Sequence, residues 1–141
     1  MELHEWAGRV FGGDCLEEKL LAPPGGIKAL SDLTPGPAVT WRRPPRSGRL
    51  AIAPKGQRIK FPRPTAMDQQ EMRVRSLHVF ANHELMALEM MAWALLAFPE
   101  ADASFRQGLA QVLVDEQRHF RLYCERLSDM GVTFGDLPVN D

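Results

Sequence analysis

Between Asp68 and Gly131 apolar residues recur at steps of three and four, the period of one face of an α-helix, in two runs separated by a proline. The first run carries Leu77, Phe80, Ala81, Leu88, Met91 and Leu95, and Pro99 supplies its stop. Asp68 with Glu71 has the spacing of a capping box, and Met67 with Met72 that of its hydrophobic staple, so a helix is expected to begin there. The second run is expected to open on a capping box of Ser104 and Gln107 and to end at Gly131 in a left-handed residue. Its stripe reads Phe105, Leu109, Val112, Glu116, His119, Tyr123, Leu127 and Met130. Two long helices joined by the short turn Pro99 to Ala103 must lie antiparallel, so residues 67–131 predict an all-α helical hairpin.

Upstream the pattern changes. Residues 1–22 carry Leu3, Trp6, Val10, Leu16, Leu20 and Leu21, interrupted by Gly12 and Gly13, and read as one or two short helices. Residues 23–66 hold prolines and glycines too densely for a long helix, because each proline removes a backbone donor and biases its predecessor toward extended geometry. An arm of this length inside a compact domain is expected to wrap across a surface, and Trp41, Leu50, Ile52, Ile59 and Phe61 give it apolar anchors, with short strand-like pieces. Residues 132–141 form a tail.

Carboxylates stand where each helical stripe calls for apolar residues. Glu84 continues the row Leu77, Phe80, Leu88, Met91, and Glu116 with His119 interrupts the row Val112, Tyr123. An unpaired carboxylate buried in a bundle is costly, so these groups are expected to be neutralised, paired or bound to metal. A glutamate and a histidine at i and i+3 can point at one ion. Depth is an independent check: Glu84 lies 14 residues before Phe98, roughly 21 Å at 1.5 Å per residue, and Glu116 and His119 lie 12 and 15 residues after Ser104, roughly 18 and 22 Å. All three side chains therefore share one level of the hairpin. Glu84 pairing with His83 or an arginine, and Glu116 with His119 as a solvent-facing pair, is the plainer alternative. Glu89 lies about 140° around the helix from Glu84 and suits a surface or interface carboxylate better than a ligand. His78 and His83 fall off the row, which suits solvent, supporting or interface roles, and Tyr123 suits simple core.

The net charge of -1 hides two blocks. From Thr40 to Arg75 ten basic residues face only Asp68 and Glu71, whereas from Glu84 onward ten acids outnumber four arginines. A cationic arm can bind a polyanion or lie on the protein's own acidic face; sparse interleaved aromatics and the lack of an RNA-binding motif make nucleic acid the less favoured partner. No run of eighteen apolar residues and no basic-then-apolar leader is present, so no membrane span is expected and a cytoplasmic location is. The two cysteines, Cys15 and Cys124, lack metal or redox spacing and are expected to be reduced.

The run LHVFANHELMALEMMAWALLAFPEADASFRQGLAQVLVDEQRHFRLYCERLSDMGVTFGDLPVN resembles an uncharacterised bacterial ferritin-like family, a domain of unknown function in the di-iron carboxylate superfamily. Within it, DEQRH at Asp115 to His119 is similar to the Asp-Glu-x-Arg-His pattern of di-iron monooxygenases. The resemblance implies a ferritin-like hairpin, half of a four-helix bundle, with Glu84, Glu116 and His119 as ligands and Asp115 and Arg118 orienting a histidine. It also implies that relatives continue into a second helical pair bearing another glutamate and another Glu-x-x-His, which these 141 residues do not contain. Two copies, or a complementary half-protein, would complete the ligand set.

The function expected is that of a non-haem protein holding two iron ions, or iron and manganese, shared between chains, an oxidoreductase activating dioxygen on a small-molecule substrate. The alternatives are a ferroxidase that handles iron without organic substrate, and a non-catalytic helical dimerisation module.

Overall fold

The computed structural model describes all residues, 1–141. The chain is all-helical: α1 spans Leu3–Gly12, α2 Leu16–Lys19, α3 Gln70–Ala97 and α4 Ala103–Asp129, and four short 3-10 turns punctuate the segment between α2 and α3. No strand forms; β-type pairing is confined to two isolated bridges, Glu2 to Ser31 and Ile52 to Val139.

α3 and α4 run antiparallel, with Leu95 opposite Arg106 near the turn and Glu84 opposite Glu116 and His119 further down. α1 lies across α3 and buries Leu3, Trp6, Ala7, Val10 and Phe11, a helical stripe at steps of three and four. These residues join Ala81, Leu85, Leu88, Ala92 and Leu95 of α3 and Ala110, Leu113, Phe120 and Leu127 of α4 in one core. The small alanines in that set let the helix backbones approach closely. The core is thus rotated toward the flank of α3 that faces α1: Leu88 of the row holding Glu84 belongs to it, while Phe80 and Glu84 of that row lie at its margin.

That rotation corrects part of the expected stripe. Leu88, Leu95 and Leu127 are fully buried as the periodicity requires, but Phe105 and Val112 are 58% and 39% exposed and Phe80 is 38% exposed. Their places inside are taken by polar residues, among them His78, Asn82, Glu89, Arg106 and Gln117. The helix starts also differ from expectation. α3 is preceded by Gln69 and α4 by Asp102, and neither cap residue makes a side-chain hydrogen bond, so the Asp68–Glu71 and Ser104–Gln107 boxes do not define the boundaries. Gly131 does end α4 with φ of 74°, which glycine adopts without a Cβ penalty.

The arm wraps the hairpin. Val39 donates its N–H to the Leu96 carbonyl at 3.2 Å, Trp41 stands edge-on to Trp93 with ring centres 5.2 Å apart, and Leu50 is buried. The tail closes the other end: Phe134 stacks on His78 at 4.7 Å and meets Phe120 edge-on at 5.1 Å. Gly135 is required there, because a Cβ would come within 2.6 Å of the Arg49 Cβ and 2.9 Å of its carbonyl oxygen.

Arg106 fastens three segments at once. Its guanidinium, almost wholly buried, donates to both Asp32 carboxylate oxygens at 2.7 and 3.0 Å and to the carbonyls of Leu95 and Phe98 at 2.8 and 2.9 Å. These carbonyls belong to the last turn of α3 and its cap, where no helical N–H reaches every acceptor. Arg106→Met is therefore expected to lower stability by about 1–3 kcal/mol, read as a lower urea midpoint. The exposed Arg126→Met on the same helix should shift it by no more than about 0.5 kcal/mol.

Candidate metal centre

Glu84 on α3 and Glu116 and His119 on α4 converge, each offering a ligand atom within 4.8 Å of the others. The level predicted by helical rise is thus realised, because α3 and α4 are antiparallel neighbours joined by a short turn. The Nδ1 of His119 lies 3.2 Å from Glu116 Oε2 and 3.8 Å from Glu84 Oε2. The three side chains are partly buried, 23% exposed for Glu84, 20% for Glu116 and 41% for His119.

No lysine or arginine lies within ion-pairing distance of either carboxylate. Two carboxylates brought together with only an imidazole beside them repel, and the cost appears in Glu84. Burial and then the neighbouring Glu116 push its pKa up to about 7, against a small opposing pull from His119. Carboxylate oxygens with one imidazole nitrogen are a donor set suited to iron or manganese, so the residues fit a divalent metal of that kind. A cleft of about 460 Å³ opens beside them, walled by Leu77, Leu122 and Tyr123, with Arg126 on its rim.

The other candidate residues are scattered. Asp115 accepts from Gln111 at 3.2 Å, and Arg118 is exposed; within the chain neither hydrogen-bonds to His119. Tyr123 is half-buried near Phe80, and His83 is exposed, edge-on to the same ring. His78 is not a solvent or interface residue: it is buried, and its Nε2 accepts the Gly135 N–H at 2.9 Å. Burial pushes its pKa down, with Asp136 opposing, so it serves the core as a neutral imidazole.

Glu89 corrects the sequence expectation most sharply. It is 3% exposed, remote from the cluster, and gripped by Lys19 Nζ at 2.9 Å and by Arg46 Nη2 at 2.5 Å. Arg46 completes a bidentate pair through Nε at 3.2 Å and donates Nη1 to Asn82 Oδ1 at 2.9 Å. Four of the arm's arginines thus have acidic partners within the chain: besides Arg46, Arg49 meets Asp136, and Arg43 and Arg58 share Asp141. The opposite signs of arm and body were the only sequence signal for this pairing. One face of α3 therefore carries Glu89, which the protein neutralises with its own lysine and arginine, and another carries Glu84, which with Glu116 of α4 has only His119 beside it.

These features define an all-helical protein with a carboxylate–histidine cluster on a helical hairpin. The family described as "Protein of unknown function (DUF455)" matches residues 18–141, and the chain belongs to that family. No curated protein and no solved structure matches the chain. No helix is long and apolar enough to cross a membrane.

Proposed function

We propose that α3 and α4 form one hairpin of a ferritin-like bundle, in which Glu84, Glu116 and His119 hold iron, or iron with manganese, for an oxidoreductase that activates dioxygen. The observation that carries this reading is a carboxylate pair with no lysine or arginine within ion-pairing distance and one imidazole beside it, a donor set whose charge a bound divalent cation would balance. When bound, such a metal supplies the redox chemistry of a non-haem centre with open positions. The chain's own residues then divide the work. Glu84 and Glu116 offer carboxylate oxygens, His119 offers Nδ1, and Glu84 gives up its proton as the ion enters. Leu77, Leu122 and Tyr123 wall the adjoining cleft with mainly apolar surface, which favours an organic substrate over a polar path for free iron.

Three ligands do not complete a dinuclear site, and the hairpin face around them bears Phe80, Phe105, Val112 and Leu122, each exposed. A second copy packed on this face about a twofold axis would bring two more carboxylates and one more histidine to the same level. Asp115 and Arg118 would then lie free to meet groups on the partner hairpin.

The test is metal analysis and native mass of protein purified under iron supply. Iron or manganese near one ion per chain, in a dimer, is expected, with loss of metal in Glu116→Ala and weakening of the dimer on chelation. Stoichiometric metal retained by Glu116→Ala would overturn the ligand assignment, and a metal-loaded monomer would overturn the shared site.

A further inference from the structure

A second cleft, of about 560 Å³, opens where the arm crosses α3, and it shares no residue with the Glu84–Glu116–His119 cluster. His83, Met86 and Met90 of α3 line it together, with Trp41 and Ile52 of the arm. Spacings of three and four residues make neighbours on one helical face. At about 100° per residue the three positions fall within roughly 60° of arc, and Met86 stands between the other two, roughly 4.5 Å of rise from His83 and 6 Å from Met90. All three side chains are accessible: Met86 is 36% and Met90 50% exposed, and His83 is exposed.

Met86 is also held in place. Asn82 Nδ2 donates to its Sδ at 3.4 Å, and Asn82 is itself buried and fixed by Arg46 Nη1 at 2.9 Å. A thioether sulfur carries two lone pairs, so one remains for a further bond. The hard oxygen donors that line the cleft are already taken, Glu89 by Lys19 and Arg46 and Asp141 by Arg43 and Arg58. What stays uncommitted is two thioethers and one imidazole, uncharged donors of soft and borderline character. Such a set supplies no charge to neutralise a divalent ion and suits a soft monovalent one.

We propose that His83, Met86 and Met90 form a site for one cuprous ion, bound through the two sulfurs and one ring nitrogen of His83. Thioether sulfur selects Cu(I), whereas carboxylate oxygen suits iron and manganese, so the two clusters of this chain differ in the metal they take. The cuprous site is independent of any metal at Glu84 and holds or fails separately from it.

Cysteine thiolates also bind Cu(I), so the test uses the full chain with Cys15→Ala and Cys124→Ala. Titrated without oxygen against a chromogenic cuprous chelator, this protein is expected to hold one ion per chain, with quenching of tryptophan emission because Trp41 lines the cleft. X-ray absorption at the copper edge should show sulfur neighbours. Met86→Leu, Met90→Leu and His83→Ala should each weaken binding at least about tenfold, since even groups that only support a ligand are worth that much. Leucine conserves the apolar volume of methionine, so an apolar docking face would survive these changes and a sulfur site would not. Both leucine replacements made together in the parent chain, with its cysteines in place, should lower cuprous uptake by one ion. His119→Ala should leave uptake unchanged, and equimolar zinc should not displace the copper. The proposal is overturned if the cysteine-free chain takes up no cuprous ion, if the paired leucine replacements leave affinity or uptake unchanged, or if the copper edge shows no sulfur. Loss of binding in His119→Ala, or displacement by zinc, would overturn it equally.

Discussion

Glu89→Ala is expected to destabilise the protein by about 3–5 kcal/mol, the cost of breaking a buried ion pair by removing one partner. Lys19 and Arg46 would remain in the interior, with side chains 0% and 4% exposed, and would have no carboxylate within ion-pairing distance. The arm is anchored at this point, since Arg46 is its deepest charged residue and reaches α3 only through Glu89 and Asn82. Urea denaturation should show a fall in midpoint, and limited proteolysis should show earlier cleavage between Pro37 and Pro54 as the arm loosens. Replacing Lys19, Arg46 and Glu89 together with methionine or leucine should recover much of the loss, because buried ion networks exchanged for apolar residues of similar volume are often neutral. A cost below about 1 kcal/mol for Glu89→Ala would mean that these charges are solvated and worth no more than a surface pair.

The stability of the metal-free protein is expected to fall as pH rises toward and through about 7, and Glu84→Gln is expected to remove that component. The sign follows from the direction of the shift. The folded protein holds the Glu84 proton more tightly than the unfolded chain does, with a pKa of about 7 against an ordinary 4.5. The contribution is therefore fully present below the ordinary value and is lost as pH climbs through the folded one. Metal affinity must run the other way. An ion that displaces this proton should bind about tenfold more weakly for each unit of pH below the folded pKa, and release one proton per ion on entry there. Calorimetry of ferrous or manganous binding in two buffers of different ionisation enthalpy measures that proton. Affinity independent of pH between about 5 and 7 would show that Glu84 is not displaced from its proton by the metal.

The helical hairpin was readable because its signals are local. Steps of three and four, Pro99 and Gly131 each act within a turn or two of chain, and the rise per residue converts sequence distance into depth. For the same reason Glu84, Glu116 and His119 could be brought to one level before any tertiary contact was known. The capping boxes misled: at both starts a neighbouring residue, Gln69 or Asp102, holds the cap position without a side-chain bond. The charge blocks announced that the basic arm and acidic body differ in sign, and the structure joins them.

What the sequence alone determined was thus the pair of helices, the wrapping arm and the common depth of three chemically matched side chains. Which flank of each helix is interior was decided only by tertiary structure. α3 is apolar on most of its circumference, with Phe80, Met86 and Met90 left exposed while His78, Asn82 and Glu89 are buried. Its periodicity therefore cannot orient it, and the docking of α1 does. The fate of Glu89 is the clearest case: a buried carboxylate is tolerable only with cations beside it, and those come from Lys19 and Arg46, segments that approach α3 only when the whole chain has folded. Glu84 and Glu116 receive no such visitors, and that difference between carboxylates of one hairpin is a property of three-dimensional packing that no spacing along the chain encodes.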